Sequence, residues 1–152
     1  MANSAAMCTS FKQEILCGIH ALGTSVVRAG TGADTIKAAL FLATASLGAA
    51  TTTYSTTGEL AATGNYTAGG VTVTNANQPA TSGTTAYWTP SASFSWANLT
   101  SSGAFDAVQL YNSTQSNKSI SVHTFSSQNV TASTFTLTMP TNDSTNALLR
   151  VA

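Results

Sequence analysis

Beyond Gly30 the apolar residues follow no helical period. They fall in short runs separated by Gly, Asn, Ser and Pro, the residues that supply turns. A chain so punctuated buries apolar surface by pairing short strands and stacking the sheets, which restricts it to the all-β architectures. Residues 134–139 (Thr-Phe-Thr-Leu-Thr-Met) alternate strictly. Phe135, Leu137 and Met139 therefore line one face of a strand and three threonines the other, until Pro140 stops the pairing. Residues 105–111 and 118–125 flank the polar link 112–117 and predict an antiparallel hairpin. Weaker strand signals cover 36–43, 71–74, 85–89, 93–96 and 147–151. The sum is an antiparallel β-sandwich or jelly roll of about eight strands. Residues 47–70, small and without a period, are expected to form a long surface loop with at most a helical turn.

Residues 1–30 read differently. Phe11, Ile15, Ile19 and Leu22 recur at helical spacing, Ser10 and Gln13 stand in capping-box positions, and Gly23 follows the last apolar residue. The pattern predicts one amphipathic helix over 9–22, about 20 Å long. It sits on an arm (1–30) joined to a β domain (31–152) by a Gly-rich link. The stripe of Phe11, Ile15 and Ile19 has to be covered by the β domain, by a sister subunit or by a partner. An assembly contact is the expected use.

Charge is scarce: 7% of the residues are charged and the formal net charge is zero, where an ordinary domain has about a quarter of its residues charged. Residues 60–105 contain no Asp, Glu, Lys or Arg, and roughly three residues in ten are Ser or Thr, so hydroxyls stand in for ions. The basic residues Lys12, Arg28, Lys37, Lys118 and Arg150 are scattered. Phosphate recognition needs them clustered, so nucleic acid is not an expected partner. A surface poor in charge lacks the usual protection against association and suits lasting contact with other subunits. A secreted Ser/Thr-rich domain is the alternative. Against it, the first residues have no basic region leading into an apolar stretch, so no signal peptide is expected. The longest apolar stretch, 38–50, falls short of the roughly 20 residues that span a bilayer, so no membrane anchor is expected either. The sequon-like triplets at Asn65, Asn98, Asn112, Asn117, Asn129 and Asn142 follow from the abundance of Ser and Thr.

No motif identifies a reaction. Cys8 and Cys17 are the only cysteines. On a helix they would lie about 13 Å apart along the axis, too far for a disulfide, so both are expected as reduced thiols. His20 and His123 are the only histidines and belong to no cluster with metal-ligand spacing, so no metal or cofactor is expected. Folding the hairpin about the middle of its link pairs residues whose numbers sum to 229 and sets Asp106 opposite His123. An ion pair explains that better than a hydrolase triad, because no Gly-x-Ser-x-Gly elbow occurs. Gly30-Thr-Gly32 and Gly69-Gly70 lack the Lys-Ser/Thr that a phosphate loop needs and read as turns. Tyr87, Trp88, Phe94 and Trp96 would make a sugar-stacking platform if Tyr87 or Trp88 pointed outward, although aromatics on neighbouring strands more often form a core. No catalytic residue is expected.

Four runs carry a resemblance: Asn65-Tyr-Thr-Ala-Gly-Gly-Val-Thr-Val-Thr, Ser82-Gly-Thr-Thr-Ala-Tyr-Trp, Leu110-Tyr-Asn-Ser-Thr, and Thr134-Phe-Thr-Leu-Thr-Met-Pro-Thr-Asn-Asp143. Over most of 36–151 the chain resembles a group of small structural proteins of tailed bacteriophages. The resemblance implies a virion protein, made in the host bacterial cytoplasm and carried on the capsid surface as a cement or decoration subunit. Its implied partners are the major capsid protein and further copies of itself. A trimer is implied because lattice cement subunits commonly sit at local three-fold positions. Assembly contacts are expected at Phe11, Ile15 and Ile19 and at Tyr87 and Trp88. A tail, neck or fibre component is the alternative that the same features allow, and a carbohydrate-binding module rests on the aromatic cluster alone.

Overall fold

A computed structural model describes residues 2–16, 18–23, 32–61 and 63–152. Among them β1 (Ala6–Met7) leads into α1 (Thr9–Leu16). There follow β2 (Ile36–Leu42), β3 (Val71–Thr72), β4 (Ala80–Ser82), β5 (Thr85–Trp88), β6 (Phe94–Leu99), β7 (Phe105–Asn112), β8 (Lys118–Gln128), β9 (Ser133–Leu137) and β10 (Leu149–Val151). The strands pair antiparallel in three sheets, ordered β1-β8-β7-β2-β3, β10-β5-β4 and β6-β9. The expected mainly-β sandwich is what forms. Its sheets share one core, in which Leu40, Val108 and Val122 of the five-stranded sheet join Trp88 and Leu149 of the second and Phe94, Trp96 and Leu99 of the third. β1 and β4, two and three residues long, are too short to show a period, which is why the sequence suggested fewer strands.

β9 keeps the alternation read from the sequence, with Thr134 and Thr136 exposed and Phe135 and Leu137 half-buried. The Phe135 ring meets Phe105 edge-on at 4.9 Å and stacks on Trp96 at 6.0 Å. Phe105 is the fully buried member of this group, at 0% exposure. Phe105→Ala is therefore expected to cost about 3 to 5 kcal/mol, Phe135→Ala roughly half that, and Thr136→Ala less than about 0.5 kcal/mol. Urea unfolding of the three variants checks the order.

β7 and β8 form the expected hairpin in a different register. The ladder closes on Asn112 and Lys118, one residue off the symmetrical fold, because Ser116 and Asn117 turn the chain at positive φ (52° and 58°). A bulge between Leu110 and Tyr111 shifts it by one more, so Val108, not Asp106, faces His123.

α1 is shorter than its apolar period suggests. Gly18, at φ 67°, closes it in a Schellman motif: the Gly18 amide donates to the Ile15 carbonyl at 3.1 Å and the Ile19 amide to the Glu14 carbonyl at 2.9 Å. Ile19 and Leu22 thus lie beyond the helix, and the expected stop at Gly23 comes too late. The capping box is not made either, since Ser10 lies inside the first turn with its Oγ buried and unpaired. Phe11 and Cys8, 2% and 0% exposed, belong to the same core as the sheets. Of the apolar stripe, Phe11 is covered by the chain's own core, one of the three covers expected, while Ile15 and Ile19 stay half-buried. Cys8 is a free thiol 3.0 Å from the Ser119 hydroxyl, and burial raises its pKa; Cys17 lies outside the described residues.

Residues 47–70 contain no helix among those described, as a loop should, but they are not merely surface. Leu60 and Tyr66 are core residues, and bridges from Glu59 to Phe41 and from Gly64 to Leu99 stitch the segment to the sheets.

Candidate functional site

The feature that gathers the sequence-predicted contact residues is an apolar groove of about 210 Å³ between the N-terminal segment and the β10-β5-β4 sheet. Phe11, Ile15, His20 and Leu22 line it from the N-terminal segment, and Tyr87, Trp88, Leu149 and Val151 from the sheet. The register produces most of the second wall: Leu149 pairs with Trp88 and Val151 with Ala86, so these four share one face, while Tyr87, paired with Arg150, alternates to the other and lines the groove outside that register. The turn after α1 produces the first, because the Schellman motif carries the chain back so that Leu22 joins Phe11 and Ile15. Val151 is 45% exposed. Of the five expected contact residues the groove brings together Phe11, Ile15, Tyr87 and Trp88; Ile19 does not line it. Leu149 and Val151 are not among the expected contacts, since strands this short display no face until their partners are known, and Leu22 is expected only as the last residue of the helical stripe.

The groove's chemistry suits an apolar occupant. The Trp88 indole N–H donates to the Asn77 carbonyl at 3.1 Å, and both ring nitrogens of His20 are engaged within the chain. Those groups are not free to pair with a hydroxyl-rich ligand. Of the four aromatics considered for a sugar platform, Phe94 and Trp96 are 3% exposed and Trp88 2%, and Tyr87 alone is half-buried, on the groove.

The imagined Asp106–His123 pair is absent. Asp106 Oδ1 accepts from Asn3 Nδ2 at 2.6 Å, while His123 Nε2 lies 2.9 Å from the Ser121 hydroxyl. Burial lowers the His123 pKa to about 4. A histidine depressed in the folded state stabilises the fold above its unfolded pKa, and that contribution is lost as the pH falls through the folded value. Between pH 7 and about pH 4 wild type is therefore expected to lose about 2 to 3 kcal/mol more than His123→Gln does. Urea unfolding of both proteins across that range measures the difference.

Among the described residues no group of three or more His, Cys, Asp or Glu side chains could hold a metal ion. No helix among them is long and apolar enough to cross a membrane. Comparison with protein-family models, with curated proteins and with solved structures finds no match to this chain.

Proposed function

We propose that this chain is a structural virion protein of a tailed bacteriophage, a cement or decoration subunit that stabilises the lattice of the major capsid protein. The observation that carries this reading is the apolar groove floored by the buried Phe11 and Trp88 and flanked by Ile15, Tyr87 and the exposed Val151, on a protein with only 7% charged residues. A groove lined almost wholly by apolar side chains takes an apolar side chain or segment of another protein better than a soluble metabolite. The resemblance of residues 36–151 to small virion proteins supplies the class of partner.

Purified particles test the reading. Hundreds of copies per particle, with density on the capsid shell, are expected. A dozen or so would move the protein to the neck or tail, the second position that the same surface allows, and absence from particles would end the virion reading. Self-association follows from the same surface, and the resemblance favours three copies. Light scattering at tens of micromolar is expected to give a trimer; a dimer would defeat the three-fold order alone, and a stable monomer would defeat self-association in solution.

A further inference from the structure

The His20 side chain is wholly buried, at 0% exposure, where the chain turns back from α1 to form the groove wall. Its Nε2 lies 2.7 Å from Glu14 Oε2, and its Nδ1 lies 3.0 Å from Asn112 Nδ2 at the end of β7. The orientation of the Asn112 amide is set by other partners: its Oδ1 accepts from the Gln115 backbone amide at 3.1 Å, and its Nδ2 also donates to Asp34 Oδ2 at 2.8 Å. Nδ2 is therefore a donor toward His20, Nδ1 accepts, and the ring is a neutral imidazole that donates its Nε2 proton to Glu14.

This arrangement has no place for a second ring proton. Protonated Nδ1 would face an amide donor, and turning Asn112 over would set its oxygen against the Asp34 carboxylate and leave the Gln115 amide facing an NH2 group. Among the described residues the charged groups around the ring are Glu14 from α1, Asp34 from the segment before β2, and Lys118 from β8, whose Nζ donates to Glu14 Oε1 at 2.6 Å. Across the groove the residues are Trp88, Leu149, Val151 and Tyr87, of which only Tyr87 is titratable.

We infer that His20 is a proton-operated latch: the neutral ring ties the end of α1 and the wall carrying Leu22 to the β7–β8 hairpin, and protonation at Nδ1 releases that wall and opens the groove. Burial opposes the charged ring, the Glu14 and Asp34 carboxylates favour it, and Lys118 opposes it; burial is the largest of these, so the ring titrates below the ordinary histidine range. The tie is thus intact at neutral pH and lost as the pH falls through that lowered value. Glu14 remains ionised in this window: burial works the other way, but hydrogen bonds from Lys118 and His20 hold it below the usual carboxylate range. The inference rests on the latch geometry and is independent of the virion reading.

Hydrogen exchange read by NMR tests it on the full chain. The probes are the Ile19 amide, bonded to the Glu14 carbonyl, and the Ala21 amide, bonded to Asp34 Oδ2. Their protection factors are expected to fall, by up to about tenfold per pH unit, as the pH drops below the ordinary histidine range, while the central β7 and β8 amides hold theirs, and His20→Gln should remove the pH dependence. Unchanged protection at Ile19 and Ala21, a fall shared by β7 and β8, or the same fall in His20→Gln would overturn the latch. Should the variant not fold, the wild-type ring nitrogens decide. The expectation is an Nε2–H tautomer at pH 7 whose protonation midpoint coincides with the loss of protection; an Nδ1–H tautomer, or protonation without that loss, refutes it.

Discussion

Gly70→Ala is expected to cost about 4 kcal/mol, a large share of the stability of an ordinary single domain. Gly70 has φ +69°, and a Cβ placed there would collide with the Ala38 carbonyl oxygen while lying 2.6 Å from the Ala38 carbonyl carbon and 2.7 Å from Ala39 Cα. These are backbone atoms, so no side-chain rotation relieves the overlap. Nor can β2 retreat, because Ala38 is paired with Val71 on one side and Leu110 on the other. About 1 to 2 kcal/mol of the cost comes from the left-handed backbone and the rest from displacing a central strand. Gly69 is the control. It too has positive φ, but a Cβ there would first meet the Tyr111 hydroxyl, at 3.2 Å, so Gly69→Ala should lose less. Thermal unfolding of the pair separates strain from collision, and equal losses would show that the collision is not what matters.

Glu59→Ala is the second large loss, expected at about 3 to 5 kcal/mol because it strands several buried donors at once. The Glu59 carboxylate, 7% exposed, accepts from the Tyr54 hydroxyl at 2.5 Å, the Tyr66 hydroxyl at 2.7 Å and the Gly69 amide at 2.7 Å. Tyr66 in turn accepts from the Leu40 amide at 3.0 Å, and Tyr111 donates to the Gly69 carbonyl at 2.8 Å while its ring stacks on Tyr54 at 4.3 Å. One carboxylate thereby fastens residues 54–69 to β2 and β7. Burial, reinforced by the carboxylate, raises the Tyr54 and Tyr66 pKa values and pushes Tyr111 up to about 12, so all three phenols remain protonated at neutral pH. Glu59→Gln, which keeps one acceptor oxygen, should lose less than Glu59→Ala. Urea unfolding of the two variants checks this, and a loss under 1 kcal/mol for Glu59→Ala would mean that water replaces the carboxylate.

Much of the groove was legible before its shape was known. Phe11 and Ile15 share a helical stripe, and Tyr87 and Trp88 are adjacent large aromatics in a stretch without charge, so each was visible as a candidate contact. Their meeting was not legible, since it depends on β5 pairing with β10 across some sixty residues of chain. The latch was hidden for the same reason: His20, Asp34, Asn112 and Lys118 have no spacing in common, and only the hairpin register and the turn at Gly18 bring them together. Glu59 looked like a boundary of the charge-free stretch and proved to be the anchor of a loop.

By itself the sequence determined the β class, the hairpin between residues 105 and 125, and the alternation of 134–137, because these depend on side-chain period and turn chemistry within a few residues. It also set the scarcity of charge, which no fold can change. Tertiary structure alone decided the hairpin register, the early end of α1, the burial of Phe11 in the chain's own core, and the separation of Asp106 from His123. A one-residue bulge or a single left-handed glycine is locally almost free, so nothing local selects it. The choice is made by the core and the buried hydrogen bonds, which reward one arrangement only after distant strands have met.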